Sequence, residues 1–192
     1  MKTLLLAICL LGSLLGDTTI RPDKQIVKLT DKLIQLEHEL LIQKKADRFC
    51  KFYLDHGSFY SWNWSKERVL QYAKLIDKYK HLAGKQGSID LFDFNMARIH
   101  SESDGRWSKR TVEPDKTISY GLFQLNDTYI WELEKQANKL YPNLKDKDVR
   151  TDAEKNIVCG MLWIKHKKEI NQRWAILRPT AWDLFDELRK VS

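Results

Sequence analysis

The chain has 192 residues, 43% apolar and 11% aromatic, which is enough for one core of ordinary size and makes a single globular domain the default. Charged residues at 31% argue for a solvated surface. The net charge of +7 comes from lysines and arginines spread along the chain: it favours polyanionic partners or plain solubility, and no basic patch interleaved with aromatics marks a nucleic-acid site.

Met1-Lys2 supplies a positive charge, Thr3 to Leu15 form an apolar run interrupted only by Gly12 and Ser13, and Gly16-Asp17 opens a polar stretch. This layout predicts a signal peptide over residues 1–16, and with it an exported protein of the periplasm, cell envelope or extracellular space. The run is too short to span a bilayer comfortably, and an uncleaved anchor is the alternative. Cys9 follows Ile8 where a lipidation signal wants a small residue, which argues against lipidation. For an exported chain the polyanions within reach are wall polymers and anionic head groups.

Ile26, Leu29, Leu33, Leu36 and Leu40 recur at spacings of three and four, so a helix from about Pro22 to the mid-forties carries one apolar stripe. Such a stripe needs cover, either from its own domain or from a partner chain. Trp62-Asn63-Trp64-Ser65 breaks the pattern; Ser65 then suits an N-cap, and Val69, Tyr72, Ile76 and Tyr79 mark a second amphipathic helix to about Leu82, stopped at Gly84 to Gly87. Ser88 is the expected cap of a third helix through Leu91, Phe92, Met96 and Ile99, ended by Gly105. Cys50 and Cys159 form either one disulfide or two buried thiols.

That third helix puts Glu102 in its last turn. Apolar neighbours there would leave the carboxyl poorly solvated, hence a protonated acid near neutral pH; the alternative is an exposed helix-end glutamate. The polar stretch from Arg106 to Ser119, with Pro114-Asp115 as its turn signal, predicts a loop or small hairpin beside the acid. Gly121 removes a side chain where substrate would approach, and Gln124 offers a donor and an acceptor suited to a sugar N-acetyl group. Leu122, Phe123 and Leu125 fit simple burial. Seven tryptophans leave one or two for stacking on sugar rings beyond those the core and rim use. There is no Cys-x-x-Cys and no His-Glu-x-x-His, and His100-x-Glu102 lacks the paired cysteines of a zinc deaminase, so nothing implies a metal or other cofactor.

Glu102-Ser103, then Gly121-Leu122-Phe123-Gln124-Leu125, then Asn156-Ile157 with Gly160 and Trp163, resemble in order and spacing the lytic transglycosylase and goose-type lysozyme superfamily. The match covers about half the chain and departs from the family at Phe123, where a methionine is usual. The resemblance implies a mainly α, lysozyme-like α+β fold with a small hairpin beside the cleft. Residues 17–86 would be amino-terminal helices packed on a catalytic core of residues 87–192. It also implies cleavage of the β-1,4 bond between N-acetylmuramic acid and N-acetylglucosamine in peptidoglycan, with Glu102 as acid and then as base, closing a 1,6-anhydro ring. Ser103, Ser119, Tyr120, Gly121, Phe123, Gln124 and Asn126 would bind substrate, and Asn156, Ile157 and Gly160 would form the structural motif.

Hydrolysis is the alternative outcome and needs a second carboxylate. Ser119 stands where chicken-type lysozymes have aspartate; Asp115 matches the first goose-type aspartate, whereas Asn126 stands at the second, with Asp127 beside it. The family's Ala-x-Tyr-Asn segment, whose tyrosine contacts the glutamate, is replaced by Arg173-Trp174-Ala175-Ile176-Leu177-Arg178, so either another residue such as Tyr120 supplies that contact or the active site is altered. A catalytically silent peptidoglycan-binding module is a third reading. The stripe of the first helix offers a surface for an envelope or phage assembly partner.

Overall fold

The computed structural model describes residues 22–55, 64–85 and 90–166, with Asp186 and Lys190 beyond them. The expected signal peptide, Cys9, Ser88 and the Arg173–Arg178 segment lie outside the described residues. The architecture is mainly helical with a small antiparallel sheet, as the sequence predicts. Among the described residues, five α-helices run in the order α1 (Pro22–Asp55), α2 (Lys66–Tyr79), α3 (Leu91–Ser103), α4 (Ile130–Leu140) and α5 (Ala153–His166). Three strands, β1 (Arg110–Val112), β2 (Ile118–Tyr120) and β3 (Leu125–Asn126), lie between α3 and α4. No helix among the described residues is long and apolar enough to cross a membrane.

The chain divides into two compact units between Leu41 and Ile42, inside α1. In the first unit the helix is the predicted one, supported by a Gln35 Nε2 hydrogen bond to Glu39 Oε1 at 3.0 Å. Of the two expected kinds of cover, its own domain does not supply it: Ile26, Leu29, Leu33, Leu36 and Leu40 are all exposed.

In the second unit the core begins with Ile42, Ala46, Phe49 and Phe52 on α1 and continues with Val69, Tyr72, Ala73, Ile76 and Tyr79 on α2. Ser65 caps α2 as predicted, its side chain accepting from the Arg68 backbone N–H at 3.2 Å. The cap of α3 is Asp90: its carboxylate takes the Phe92 N–H at 2.8 Å, and a carboxylate at a helix N-terminus also meets the positive end of the dipole. Lys45 binds that same carboxylate at 2.7 Å, and Arg48 Nη2 donates to both carboxylate oxygens of Asp93. Phe92 through Ile99 are all buried, so α3 is the central helix.

Its end is set by Asp104, at φ 53, and Gly105, at φ 73. A Cβ on Gly105 would lie 2.7 Å from the Trp64 ring, so that position requires glycine on two grounds. Trp64 Nε1 donates to Asp104 Oδ1 at 3.0 Å, and the Tyr72 hydroxyl donates to the Gly105 carbonyl at 3.0 Å.

The predicted hairpin is β1–β2, with Thr111 opposite Ser119, and β3 adds the second edge, with Tyr120 opposite Leu125. Helix α5 contributes Ile157, Val158, Met161, Leu162 and Ile164 to the core. Cys50 and Cys159 are both free and buried, so the disulfide alternative is corrected to two thiols packed as small apolar side chains. Burial raises both, pushing Cys159 up to about 12.

One acidic hub ties α2 to α5. Glu154 accepts from the Tyr79 hydroxyl at 2.6 Å, Lys78 Nζ at 3.0 Å and Lys147 Nζ at 2.8 Å. Burial raises its carboxyl, yet these partners hold it down to about 2. A depressed carboxyl contributes stability above its unfolded value near 4.5 and loses it as pH falls through the folded one. Urea unfolding at pH 7 and pH 3 should therefore show Glu154→Gln less stable at neutral pH, on the order of 2 kcal/mol, with that gap narrowing at pH 3. A gap independent of pH would mean that the hub's charge contributes nothing.

Candidate active site

Glu102 lies in the last turn of α3 and is half-buried, between the two sequence alternatives of a desolvated and an exposed acid. Its backbone carbonyl accepts from Lys109 Nζ at 2.5 Å, a cation at a helix C-terminus where the dipole favours one. Its surroundings are not purely apolar. One helical turn earlier, Arg98 is 3% exposed, its guanidinium 4.6 Å from the ring centroids of both Phe123 and Trp163. Arg98 also donates to the Phe123 carbonyl at 3.4 Å. Burial lowers the guanidinium to about 10 and the Glu102 carboxylate opposes that fall, so the pair feel each other's charge and Arg98 stays cationic at neutral pH.

A phenol completes the group. Tyr129, immediately before α4, stacks on Trp163 with centroids 6.0 Å apart. Burial raises its hydroxyl above the ordinary value; Arg98 and the Asn126 backbone pull it down, and Glu102 and Glu113 push it up. The hydroxyl is therefore protonated at neutral pH, a donor in electrostatic reach of two carboxylates.

The glycine loop facing this helix is built differently from the sequence expectation. Gly121 has φ 75, and a Cβ there would lie 2.2 Å from Asn156 Nδ2. The space it leaves is filled by the Asn156 carboxamide, which corrects the reading of Gly121 as a place for substrate. Asn156 is fully buried: Oδ1 accepts the Phe123 N–H at 3.0 Å, and Nδ2 donates to the carbonyls of Val149 at 2.9 Å and Tyr120 at 3.3 Å. Gly160 is needed for a related reason, since a Cβ would lie 2.7 Å from the Phe123 ring. Asn156 and Gly160 thus serve the packing of this loop on α5, and Ile157 between them is buried. Phe123 is 1% exposed, so its assignment to substrate is corrected to packing under Arg98 and over α5.

The other polar candidates serve the fold. Gln124, at φ 45, donates through Nε2 to the carbonyls of Gly121 at 2.8 Å and Lys109 at 3.2 Å, and its Oε1 accepts from Thr111 Oγ1. Its amide closes the turn onto β1. Asn126 bridges Thr117 Oγ1 at 2.6 Å and the Thr128 N–H at 3.0 Å, joining the hairpin to the approach to α4. Ser103 is fully buried and returns its hydroxyl to the Ile99 carbonyl at 2.8 Å. Ser119 is buried in the central strand; Tyr120, half-buried, packs against the core and feels Arg150. Asp115 sits exposed at the hairpin tip, its carboxylate accepting from the Thr117 N–H at 3.0 Å and hydroxyl at 2.6 Å, which lowers it.

The structure thus gathers Glu102, Arg98, Tyr129 and Trp163. Sequence reasoning found Glu102 and the loop but missed Arg98, Tyr129 and Glu113. The one available signal was the four-residue interval from Arg98 to Glu102. Among the described residues no group of three or more His, Cys, Asp or Glu converges to hold a metal ion. A cavity of about 390 Å³ lined by Arg68, Tyr72, Trp107, Lys147 and Glu154 includes none of the expected site residues.

No family model, curated protein or solved structure matches this chain. Any functional reading therefore rests on the chain's own residues and their geometry.

Asn156→Ala should lower the free energy of unfolding by about 2–4 kcal/mol, because it strands the Phe123 N–H and the Val149 carbonyl in the core. Gly121→Ala should also destabilise, by forcing a Cβ into that carboxamide at a left-handed φ. Denaturant unfolding checks both, and a loss under about 0.5 kcal/mol for Asn156→Ala would deny the clasp its role.

Proposed function

We propose that this chain is a peptidoglycan lytic transglycosylase acting on the β-1,4 bond between N-acetylmuramic acid and N-acetylglucosamine. The observation that carries this reading is the packing beside Glu102: Arg98, one helical turn earlier, lies over the rings of Phe123 and Trp163, and Tyr129 stacks on that same Trp163. A tyrosine against the catalytic glutamate is what the resembling family uses, and its usual segment is missing from this sequence. Tyr129 takes that place from a different point in the chain, ahead of α4; this replaces Tyr120 in the proposal.

The step balances on one carboxyl group. Glu102 protonates the glycosidic oxygen as the C1–O bond breaks, leaving oxocarbenium character at C1. The carboxylate then takes the proton of the 6-hydroxyl of the same muramic acid as that oxygen bonds to C1. The 1,6-anhydro ring closes and Glu102 regains its proton. Arg98 provides a counter-charge for the carboxylate between the two halves, and its two flanking rings hold it there without water. Tyr129, whose hydroxyl feels the Glu102 charge, is the phenol placed to orient the carboxylate for the second half.

Hydrolysis is the second reading, and a specific observation favours keeping it. Glu113, just after β1, is half-buried and, with Glu102, pushes the Tyr129 hydroxyl up, so it is a second carboxylate in electrostatic reach of that phenol. It suits a water-positioning role better than Asp115, whose carboxylate is spent on Thr117. Export to the cell wall, with the glycan strand as partner, belongs to either reading.

Mass spectrometry of muropeptides released from purified peptidoglycan separates the two. Anhydro-muramic ends that vanish in Glu102→Gln and persist in Glu113→Gln are the expected result. Reducing ends that vanish in both variants would give the hydrolase instead, and no release by the wild-type chain would leave a wall-binding module. Tyr129→Phe should cut turnover by about 10²-fold with little change in wall binding. Unchanged turnover in that variant would take Tyr129 out of the proposed step.

A further inference from the structure

The exposed face of α1 carries an apolar line with heptad spacing. Ile26, Leu33 and Leu40 recur every seven residues, as do Leu29, Leu36 and Gln43, and the alternating intervals of three and four are those of a two-stranded coiled coil. Five of these six residues are large apolar side chains between 37% and 54% exposed. That is a continuous apolar line on a helix surface, where scattered single residues would be ordinary. The line is not an extension of the core: at about 100° per residue, Ile42, Ala46 and Phe49 fall on the opposite side of the helix from Leu33, Leu36 and Leu40.

The charges beside the seam say what covers it. In a parallel pair, the position before each first apolar residue of one helix meets the position five residues later on the other. Here Lys32 meets Glu37 of the second copy and Glu39 meets Lys44 of the second copy, each contact occurring twice by symmetry. All four are attractive and none is repulsive. Gln25 and Thr30 make the remaining, neutral, pair. In an antiparallel pair the Lys32–Glu39 and Asp23–Lys44 contacts are attractive as well, so charge fits a second copy in either direction, but Gln43 falls opposite Ile26, an amide against an aliphatic side chain. In the parallel pair the two Gln43 amides, each donating to Asp47 Oδ1 of its own helix at 3.1 Å, face each other, polar against polar.

We propose that two copies of this chain associate in parallel through Ile26–Gln43 of α1. The seam is just over two heptads, so the association is reversible and of micromolar order rather than permanent. It does not depend on the catalytic reading.

Sedimentation velocity of the full 192-residue chain over about 1–100 μM tests it. The expected result is a monomer–dimer equilibrium that Leu33→Lys abolishes and that Ile34→Lys leaves intact. Ile34 is the control because it is exposed, adjacent and equally apolar, yet off the seam. Lys32→Glu should weaken the dimer roughly fivefold, and adding Glu37→Lys should restore it by exchanging the two charges. Leu36→Cys should oxidise to a covalent dimer, since in the parallel register the two copies of residue 36 face each other. Circular dichroism confirms that each variant keeps its helix. A monomer at every concentration would overturn the proposal. So would association that responds equally to Leu33→Lys and Ile34→Lys, which would indicate undirected stickiness or a different partner for this face.

Discussion

The site depends on one buried carboxamide. Asn156 on α5 receives the Phe123 N–H and gives its own N–H groups to the Tyr120 and Val149 carbonyls, so three chain segments close on a single side chain. Everything nearby adapts to it. Gly121 has no side chain because the carboxamide occupies that volume, and Gly160 has none because the ring that the clasp positions, Phe123, lies on it. Phe123 is then one wall of the slot holding Arg98, with Trp163 from α5 as the other. Arg98 stands one turn from Glu102. The placement of the acid therefore runs from α5 through the glycine loop to α3, and each link is a buried contact between close-packed groups with little freedom to relax.

This chain of dependence explains which parts of the molecule were legible in the sequence. Periodicity located α1, α2 and α3, because the helix fixes the interval at which an apolar face recurs; in α2 and α3 that face is buried, whereas the stripe of α1 is exposed. Ser65 was legible as a cap because a hydroxyl before a helix has one common use. The hairpin followed from Pro114-Asp115, whose turn chemistry is local: Lys116 donates to the Glu113 carbonyl at 2.9 Å and Asp115 braces Thr117. Asp90 was missed as the cap of α3 because Ser88 is an equally good residue type two positions earlier, and only the carboxylate's hydrogen bonds to Phe92 and Asp93 decide between them.

Gln124, Asn126 and Ser103 mark the limit of such reasoning. An amide or hydroxyl near an acid can face a ligand or satisfy a backbone group, and the sequence is the same in both cases. Here a loop with Gly121 and Gln124 both at positive φ leaves carbonyls that no strand ladder reaches, and Gln124 and Asn126 take them up or brace the turns beside them. Arg98 and Tyr129 escaped for the reverse reason. Their importance lies in long-range neighbours: Phe123 and Trp163 for the guanidinium, Glu102 and Glu113 for the phenol. A core arginine reads as an error in a sequence and as a device in the structure, because two aromatic faces and a nearby carboxylate repay part of its desolvation.

Helix α1 applies the same logic to a surface. Up to Leu41 its apolar residues are exposed, Leu33, Leu36 and Leu40 on the seam and Val27, Ile34 and Leu41 beside it, whereas Ile42, Ala46 and Phe49 are buried. A single element is thus divided into a part that specifies the fold and a part left for association. The alternating signs of Lys32, Glu37, Glu39 and Lys44 fall beside the second part, where charge selects a partner's register rather than stabilising an isolated helix.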